Sequence, residues 1–176
     1  MLSDSDEQAL RELLVRQRIA DLIATYMRGL DRQMPNLVRS VFHDDATTDY
    51  GSYKGGPDGF VDFAMGFLKD QAANHHMIGQ FQLSLEGDVG FGEVYFQAHH
   101  RISDGDQEKD FFVSGRYVDR YENRNGAWKI AHRTEVVDWV RLDEDADIWR
   151  GREAAITRGQ RAPLDLSCRI EELRTR

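Results

Sequence analysis

The sequence predicts an α+β fold, and three observations carry that expectation. The first part of the chain repeats apolar residues at three- and four-residue spacing, the helical period. From about residue 74 onward the pattern changes to long runs rich in Val, Phe, Tyr, Trp and Ile. Glycine- and asparagine-containing turns separate those runs. Helices first and a meander of strands second place the helices on one face of a mostly antiparallel sheet.

Leu10, Leu13, Leu14, Leu22, Ile23, Tyr26, Met27 and Leu30 mark one long amphipathic helix over roughly 7–31, opened by the capping-type residues Ser3 and Ser5. Pro35 starts a short second helix with Leu37, Val38, Val41 and Phe42 on its apolar stripe. Thr47, Thr48, Tyr50 and Tyr53, lying among glycines between His43 and Gly56, suggest a short strand and a turn. Pro57 begins a third helix carrying Phe60, Phe63, Ala64, Phe67 and Leu68.

Strands follow at 74–85, 91–102, 111–122 and 127–141. Gly87-Asp88 and the acidic Ser103–Asp110 stretch read as loops, and Asn125-Gly126 as a tight hairpin, because both residues tolerate positive φ. In the last strand Trp128, Ile130 and Val136 alternate with Ala131, Val137 and Trp139, so both faces are apolar. Helices cover one face; a neighbouring subunit would cover the other, and the expected assembly is a homo-oligomer, a trimer. The expected organisation is a domain over 1–141 and an arm over 142–176, packed on that domain or on a neighbour and ending in a possible short helix at Arg176.

At 176 residues the chain is long enough for one full core. Its net charge of −8 gives no basic footprint for nucleic acid or an anionic membrane. Cys168 is the single cysteine, which excludes an intrachain disulfide and a thiolate zinc site. The acidic N-terminus lacks a signal-peptide pattern and no apolar run could span a bilayer, so the expected location is cytoplasmic.

Four polar residues stand out among apolar neighbours: Tyr26, Asp31, His76 and Arg133. Asp31 sits at a helix C-terminus, where the macrodipole disfavours a carboxylate. It is either a solvated helix end compensated by Arg28 and Arg32, or the partner of a histidine whose tautomer it fixes. His75 and His76 are adjacent, so only one can look inward, and the residues alone do not say which. His99 and His100 pose the same choice, and His132 stands beside Arg133. Tyr26 is either a core tyrosine or a cavity donor. An unpaired guanidinium inside an apolar strand is costly, so Arg133 should meet a carboxylate, with Glu135 the obvious partner, or line a wet pocket. No H-x-H or H-E-x-x-H spacing supports a metal, and no G-x-S-x-G, G-x-G-x-x-G or P-loop pattern occurs.

In order, these positions resemble the SnoaL-like branch of the NTF2-like superfamily. The long helix with Tyr26 and Asp31, Pro57-Asp58-Gly59, His75-His76-Met77-Ile78-Gly79-Gln80 and Gly126-Ala127-Trp128-Lys129-Ile130-Ala131-His132-Arg133 carry the resemblance over about 8–141. The tail RGREAAITRGQRAPLDLS also resembles one common in that branch. The resemblance implies a cone, a curved sheet wrapped around three helices with a deep pocket at its open end. It is shared with scytalone dehydratase, bile acid 7α-dehydratase and hexachlorocyclohexane dehydrochlorinase.

It further implies a lyase with no cofactor and no metal. His76, preceding Met-Ile-Gly-Gln, would be the base and Asp31 its orienting partner. Tyr26 and Arg133 would polarise the departing or carbonyl oxygen. Tyr50, Phe63, Phe67, Phe112, Trp139 and His100 are the candidates for holding a hydrophobic, ring-bearing small molecule. Carbon–carbon cleavage or isomerisation would use the same residues, and a non-catalytic binding or assembly module is the remaining alternative, since the superfamily hosts all of these.

Overall fold

A computed structural model of the chain describes residues 3–145, 147–148 and 156–175. The middle of the expected arm, 149–155, and its end at Arg176 lie outside the described residues. Helix α1 runs Asp4–Asp31, α2 Pro35–Ser40 and α3 Pro57–Leu68. Strands follow as β1 Phe42–Asp49, β2 Lys54–Gly55, β3 Ala73–Glu86, β4 Val89–Asp104, β5 Gln107–Arg124 and β6 Ala127–Glu144. The α+β class expected from the sequence is the one observed.

Local chemistry explains where elements start. Ser3 caps α1 in a reciprocal capping box with Asp6. Prolines open α2 and α3, where a missing N–H costs nothing. The second half of α1 buries Ile19, Ile23, Tyr26, Met27 and Leu30, while Leu10, Leu13 and Leu14 remain exposed. Asn125 and Gly126 take φ values of 56° and 83°, the mirror-image turn that suits the right-handed twist of β5 and β6.

One six-stranded sheet has the order β2-β1-β6-β5-β4-β3. All neighbours are antiparallel except β1 and β6, which run parallel, so the sheet is mixed. α1 and α3 pack on its inner face, where Ile19, Ile23, Phe42, Phe60, Val94, Tyr121 and Ile130 belong to one core.

The acidic loop expected over Ser103–Asp110 is instead strand on both sides of a tight turn with Gly105 at positive φ. Its charges are tolerated because they are paired: Lys109 meets Asp104 at 2.7 Å, and Arg101 meets Asp110 at 2.9 Å.

Bulges decide which residues face inward. In β6 an extra residue, Ala131, lies between the partners of Tyr121 and Arg120, and a second, Asp138, between those of Gly115 and Ser114. Each bulge flips the parity of the residues after it. These two flips explain much of the mixed apolar parity that the sequence displays in this strand. At the second bulge the strands approach so closely that a Cβ on Gly115 would collide with the Val136 carbonyl.

Candidate active site

Asp31 is the last residue of α1, and the first residues of β3 wrap around its carboxylate. His76 brings its Nδ1 to 2.8 Å from Asp31 Oδ1. The same oxygen accepts from the His76 backbone N–H at 3.1 Å and from Asn74 Nδ2 at 3.1 Å. These donors replace the water that a carboxylate at a helix C-terminus would otherwise need. Because ionised Asp31 can only accept, Nδ1 carries the proton and the lone pair of Nε2 is left for whatever occupies the cavity. His75, its neighbour, is exposed, as strand alternation requires.

His76 lines a cavity of about 360 Å³ between α1, α3 and the concave face of the sheet. Tyr50, Phe60, Phe63, Phe67, Phe96, Phe111 and Tyr117 give its wall a large aromatic share, and Leu, Ala and Val side chains fill in between them. The polar side chains that reach it are few: Tyr26, Tyr50, Ser52, His76, His100, Tyr117 and Glu135. A mostly apolar cleft with a few convergent polar groups is the usual form of a small-molecule site.

His100 on β4 stands edge-on to His76, with ring centroids 5.2 Å apart. Its Nδ1 lies 2.9 Å from Gln71 Oε1, while Gln71 Nε2 donates to the Phe67 carbonyl at 3.1 Å. The chain of bonds fixes the amide, so His100 Nδ1 must be the donor. Burial, aided by the neighbouring His76 and His99, pushes the His100 imidazole down to about 3, so this ring stays neutral near pH 7.

Tyr26 hydrogen-bonds Tyr50 hydroxyl to hydroxyl at 2.8 Å, and burial raises its phenol to about 12 despite the nearby Arg133 charge. Arg133 itself lies beneath the wall rather than in it. Its side chain is wholly buried, with its guanidinium carbon 4.5 Å from the Tyr26 ring centroid and 4.1 Å from that of Tyr117. Asp119 on β5 holds it in a fork, Nε to Oδ1 at 2.7 Å and Nη2 to Oδ2 at 2.6 Å. Asp119, rather than the expected Glu135, is therefore its partner. Glu135 faces the cavity instead, and burial pushes its carboxyl up to about 7, partly opposed by Arg133.

Among the residues expected to hold a substrate, Tyr50, Phe63, Phe67 and His100 line the cavity. Phe112 and Trp139 do not. Phe112 points to the outer face against His99 and Arg141, and the bulge at Asp138 turns Trp139 outward and Val140 inward. Phe111, Val113, Val137 and Val140 take those places. The other histidines are engaged elsewhere: His99 with Asp110, His132 with Thr47, and His43 with the Glu122 carbonyl. Among the described residues no group of three or more His, Cys, Asp or Glu side chains is placed to hold a metal ion.

Sequence reasoning missed Asn74, Gln71, Asp119 and Arg161. Asn74 had a signal, since it lies two residues before His76 and so shares its strand face. Arg161, from the C-terminal segment, donates to the Asp31 carbonyl at 2.8 Å and to Asn74 Oδ1. Ala162 donates its N–H to the Arg32 carbonyl at 2.9 Å, and Arg32 meets Asp165 at 3.3 Å. The segment is thereby fastened behind the Asp31 side of the site.

Comparison with known proteins agrees with this architecture. A hexachlorocyclohexane dehydrochlorinase, LinA type 2, superposes with a TM-score of 0.70 at 23% identity, over 80% of this chain and 95% of that one. A Novosphingobium aromaticivorans protein provisionally described as a scytalone dehydratase gives 0.67 at 18%, over 77% and 91%. Another from the same organism, provisionally described as an aromatic ring hydroxylase, gives 0.64 at 24%, over 75% and 94%. At such identities the likeness speaks for the fold alone. No curated protein matches the chain in sequence. The SnoaL-like domain matches residues 11–134, from the first third of α1 to the strand that carries Arg133, and the chain belongs to that family.

Proposed function

We propose that the protein is a cofactor-independent lyase that eliminates water, or a related leaving group, from a hydrophobic ring-bearing small molecule. The observation that carries this reading is a histidine oriented by a buried carboxylate, with its second nitrogen bonded to no described residue, in a mostly apolar cavity rich in aromatic rings. A binding module has no need of such an oriented base. The similar structures described as a dehydrochlorinase and a dehydratase carry names that denote eliminations, which adds support.

The geometry supports the following division of labour. His76 Nε2 removes a proton from a carbon next to the leaving group or to an activating carbonyl. Asp31 stabilises the imidazolium as it forms and holds the ring so that Nε2 cannot turn away. His100, locked neutral with its donor used by Gln71, offers Nε2 as an acceptor for a substrate hydroxyl. The Tyr26–Tyr50 pair supplies a hydroxyl donor to developing negative charge on oxygen. Arg133 contributes through Tyr26, as a fixed positive charge under the ring, and not by touching substrate. Aromatic walls exclude water and hold a flat ring.

Incubation of purified protein with hydroxylated aromatic and alicyclic compounds, read by product mass, tests the reading. A product lighter by one water, formed by the wild type and not by His76→Ala, is the expected result. A product lighter by formaldehyde would move the reaction to carbon–carbon cleavage, and unchanged mass with altered retention to isomerisation. Tight binding with no product from any compound would overturn the lyase reading.

A further inference from the structure

We propose that Glu135 is the acid of this site, delivering a proton to the departing oxygen while His76 takes one from carbon; this rests on the lyase reading above. Three observations outside that reading point to it. Glu135 lines the same cavity as His76, and the two belong to strands that are not neighbours in the sheet, β6 and β3, so they face the bound molecule from different walls. Its carboxyl has no hydrogen bond or ion pair with any described residue, although it lies two positions from a buried arginine on the same face of β6. That arginine gives its Nε and Nη2 to Asp119, and its remaining Nη1 makes no hydrogen bond to any described residue, Glu135 included. A carboxylate desolvated and unpartnered in an aromatic cavity is costly, whereas a neutral carboxylic acid there is not, and it is a donor.

The groups facing Glu135 leave it protonated near neutrality. Arg133 on its own strand favours the anion, but is already neutralised by Asp119. Tyr117 opposite it on β5 and Tyr26 from α1 are phenols that stay un-ionised, as is Tyr50 beyond them. His100 of β4 is neutral, and His76 of β3 is tied to Asp31. Burial therefore outweighs Arg133, and the carboxyl titrates at about 7.

The step balances. The C–H electron pair becomes the new C=C bond as its proton moves to His76 Nε2. The adjacent C–O bond breaks, its oxygen takes the Glu135 proton, and water leaves. The imidazolium and the carboxylate that remain are reset when the histidine proton returns to Glu135 through the released water. Neither an oxidant nor a second substrate is required. A leaving group that departs as a stable anion, such as chloride, does not need the acid at all, and that difference makes the assignment testable.

Two measurements on the full chain decide it. Infrared difference spectra of wild type against Glu135→Gln should show the carbonyl stretch of an un-ionised carboxylic acid below pH 7 in the wild type only. The band should bleach as pH rises through about 7 and shift on adding 2-naphthol but not naphthalene, since only the former carries an oxygen to receive the bond. A band that persists in Glu135→Gln, or an ordinary carboxylate titration, overturns the proposal. Turnover of a matched pair bearing hydroxyl or chloride on one carbon skeleton is the second arm. Glu135→Gln should slow water loss on the order of 100-fold and chloride loss far less. If wild type eliminates both and the substitution slows both alike, or neither, the lyase reading stands and the assignment of Glu135 falls. If wild type eliminates neither, the lyase reading falls and takes this proton-transfer role with it.

Discussion

Two carboxylates are each buried against a basic side chain in this protein, and they differ in one respect that separates structure from chemistry. Asp119 and Arg133 are shut off from solvent: both side chains have no exposure, the Tyr121 hydroxyl donates to Asp119 as well, at 2.5 Å, and Arg133 Nη1 is left without a partner among the described residues. Asp31 and His76 are nearly as buried, at 11% and 6%, but their pair is open. The imidazole has two nitrogens, the carboxylate uses one, and the other belongs to the cavity wall. A guanidinium held in a fork keeps its charge and its proton, whereas an imidazole held at one end can exchange a proton at the other. Sequence reasoning flagged both basic residues for the same reason, a polar group in an apolar run. Only the position of the second nitrogen distinguishes them.

The largest expected effect comes from breaking the closed pair. Arg133→Met leaves Asp119 charged and buried with one hydroxyl donor, and should cost about 3–5 kcal/mol of stability. Thermal melting would read this as a fall of roughly 10 °C for a chain of this size. Arg133→Met combined with Asp119→Leu should regain much of the loss, because no uncompensated charge remains. An Arg133→Met protein that melts with the wild type would break the comparison, since Arg133 would then be no structural ion pair.

How much of this is legible in the sequence depends on how local the cause is. Pro35, Pro57 and Asn125-Gly126 act through their own backbone, and the elements they start or join are found where the sequence puts them. That one of His75 and His76 faces inward is a consequence of strand alternation; which one depends on where β3 meets Asp31, a contact across 45 positions that the family resemblance supplied. Trp139 was out of reach: alternation from Arg133 sends it inward, and only the pairing of β5 with β6 reveals the extra residue at Asp138 that turns it out. Asp119 was hidden for the same reason, being a cross-strand partner. Arg161 was hidden by the path of the tail, which no period or motif describes.

Breaking the open pair should spare the fold and remove the chemistry. His76→Ala deletes the proposed base, so turnover should fall on the order of 100-fold or more, about 2.7 kcal/mol in barrier, while the melting temperature changes little. Asp31→Asn keeps hydrogen-bonding capacity but cannot stabilise an imidazolium, and should also cut the rate with the fold intact. A steep loss of stability in His76→Ala together with unaltered turnover would reverse the roles assigned to the two pairs.

The smallest effect sharpens the comparison, because it asks what keeps the open pair in register. Arg133 is held from within the sheet, but Asp31 ends a helix and is held partly by the tail: Arg161 reaches its carbonyl and Asn74, and its second nitrogen faces the Leu68 and Gln71 carbonyls. Arg161 is not among the residues that line the cavity of His76, so it acts by position. Its removal frees the Asp31 carbonyl and the Asn74 side chain that donates to the carboxylate, letting the His76 ring wander by fractions of an ångström. Arg161→Ala should therefore lower kcat about tenfold with KM little altered, an effect typical of lost orientation and not of lost binding. The NMR signal of the Asp31-bonded His76 Nδ1 proton should broaden or vanish in step. Arg161→Lys, which keeps one donor and the charge, should recover part of the rate. An unchanged proton signal beside the rate loss would show that the tail serves the site in some other way, and an unchanged rate would mean that α1 and β3 align the pair without it.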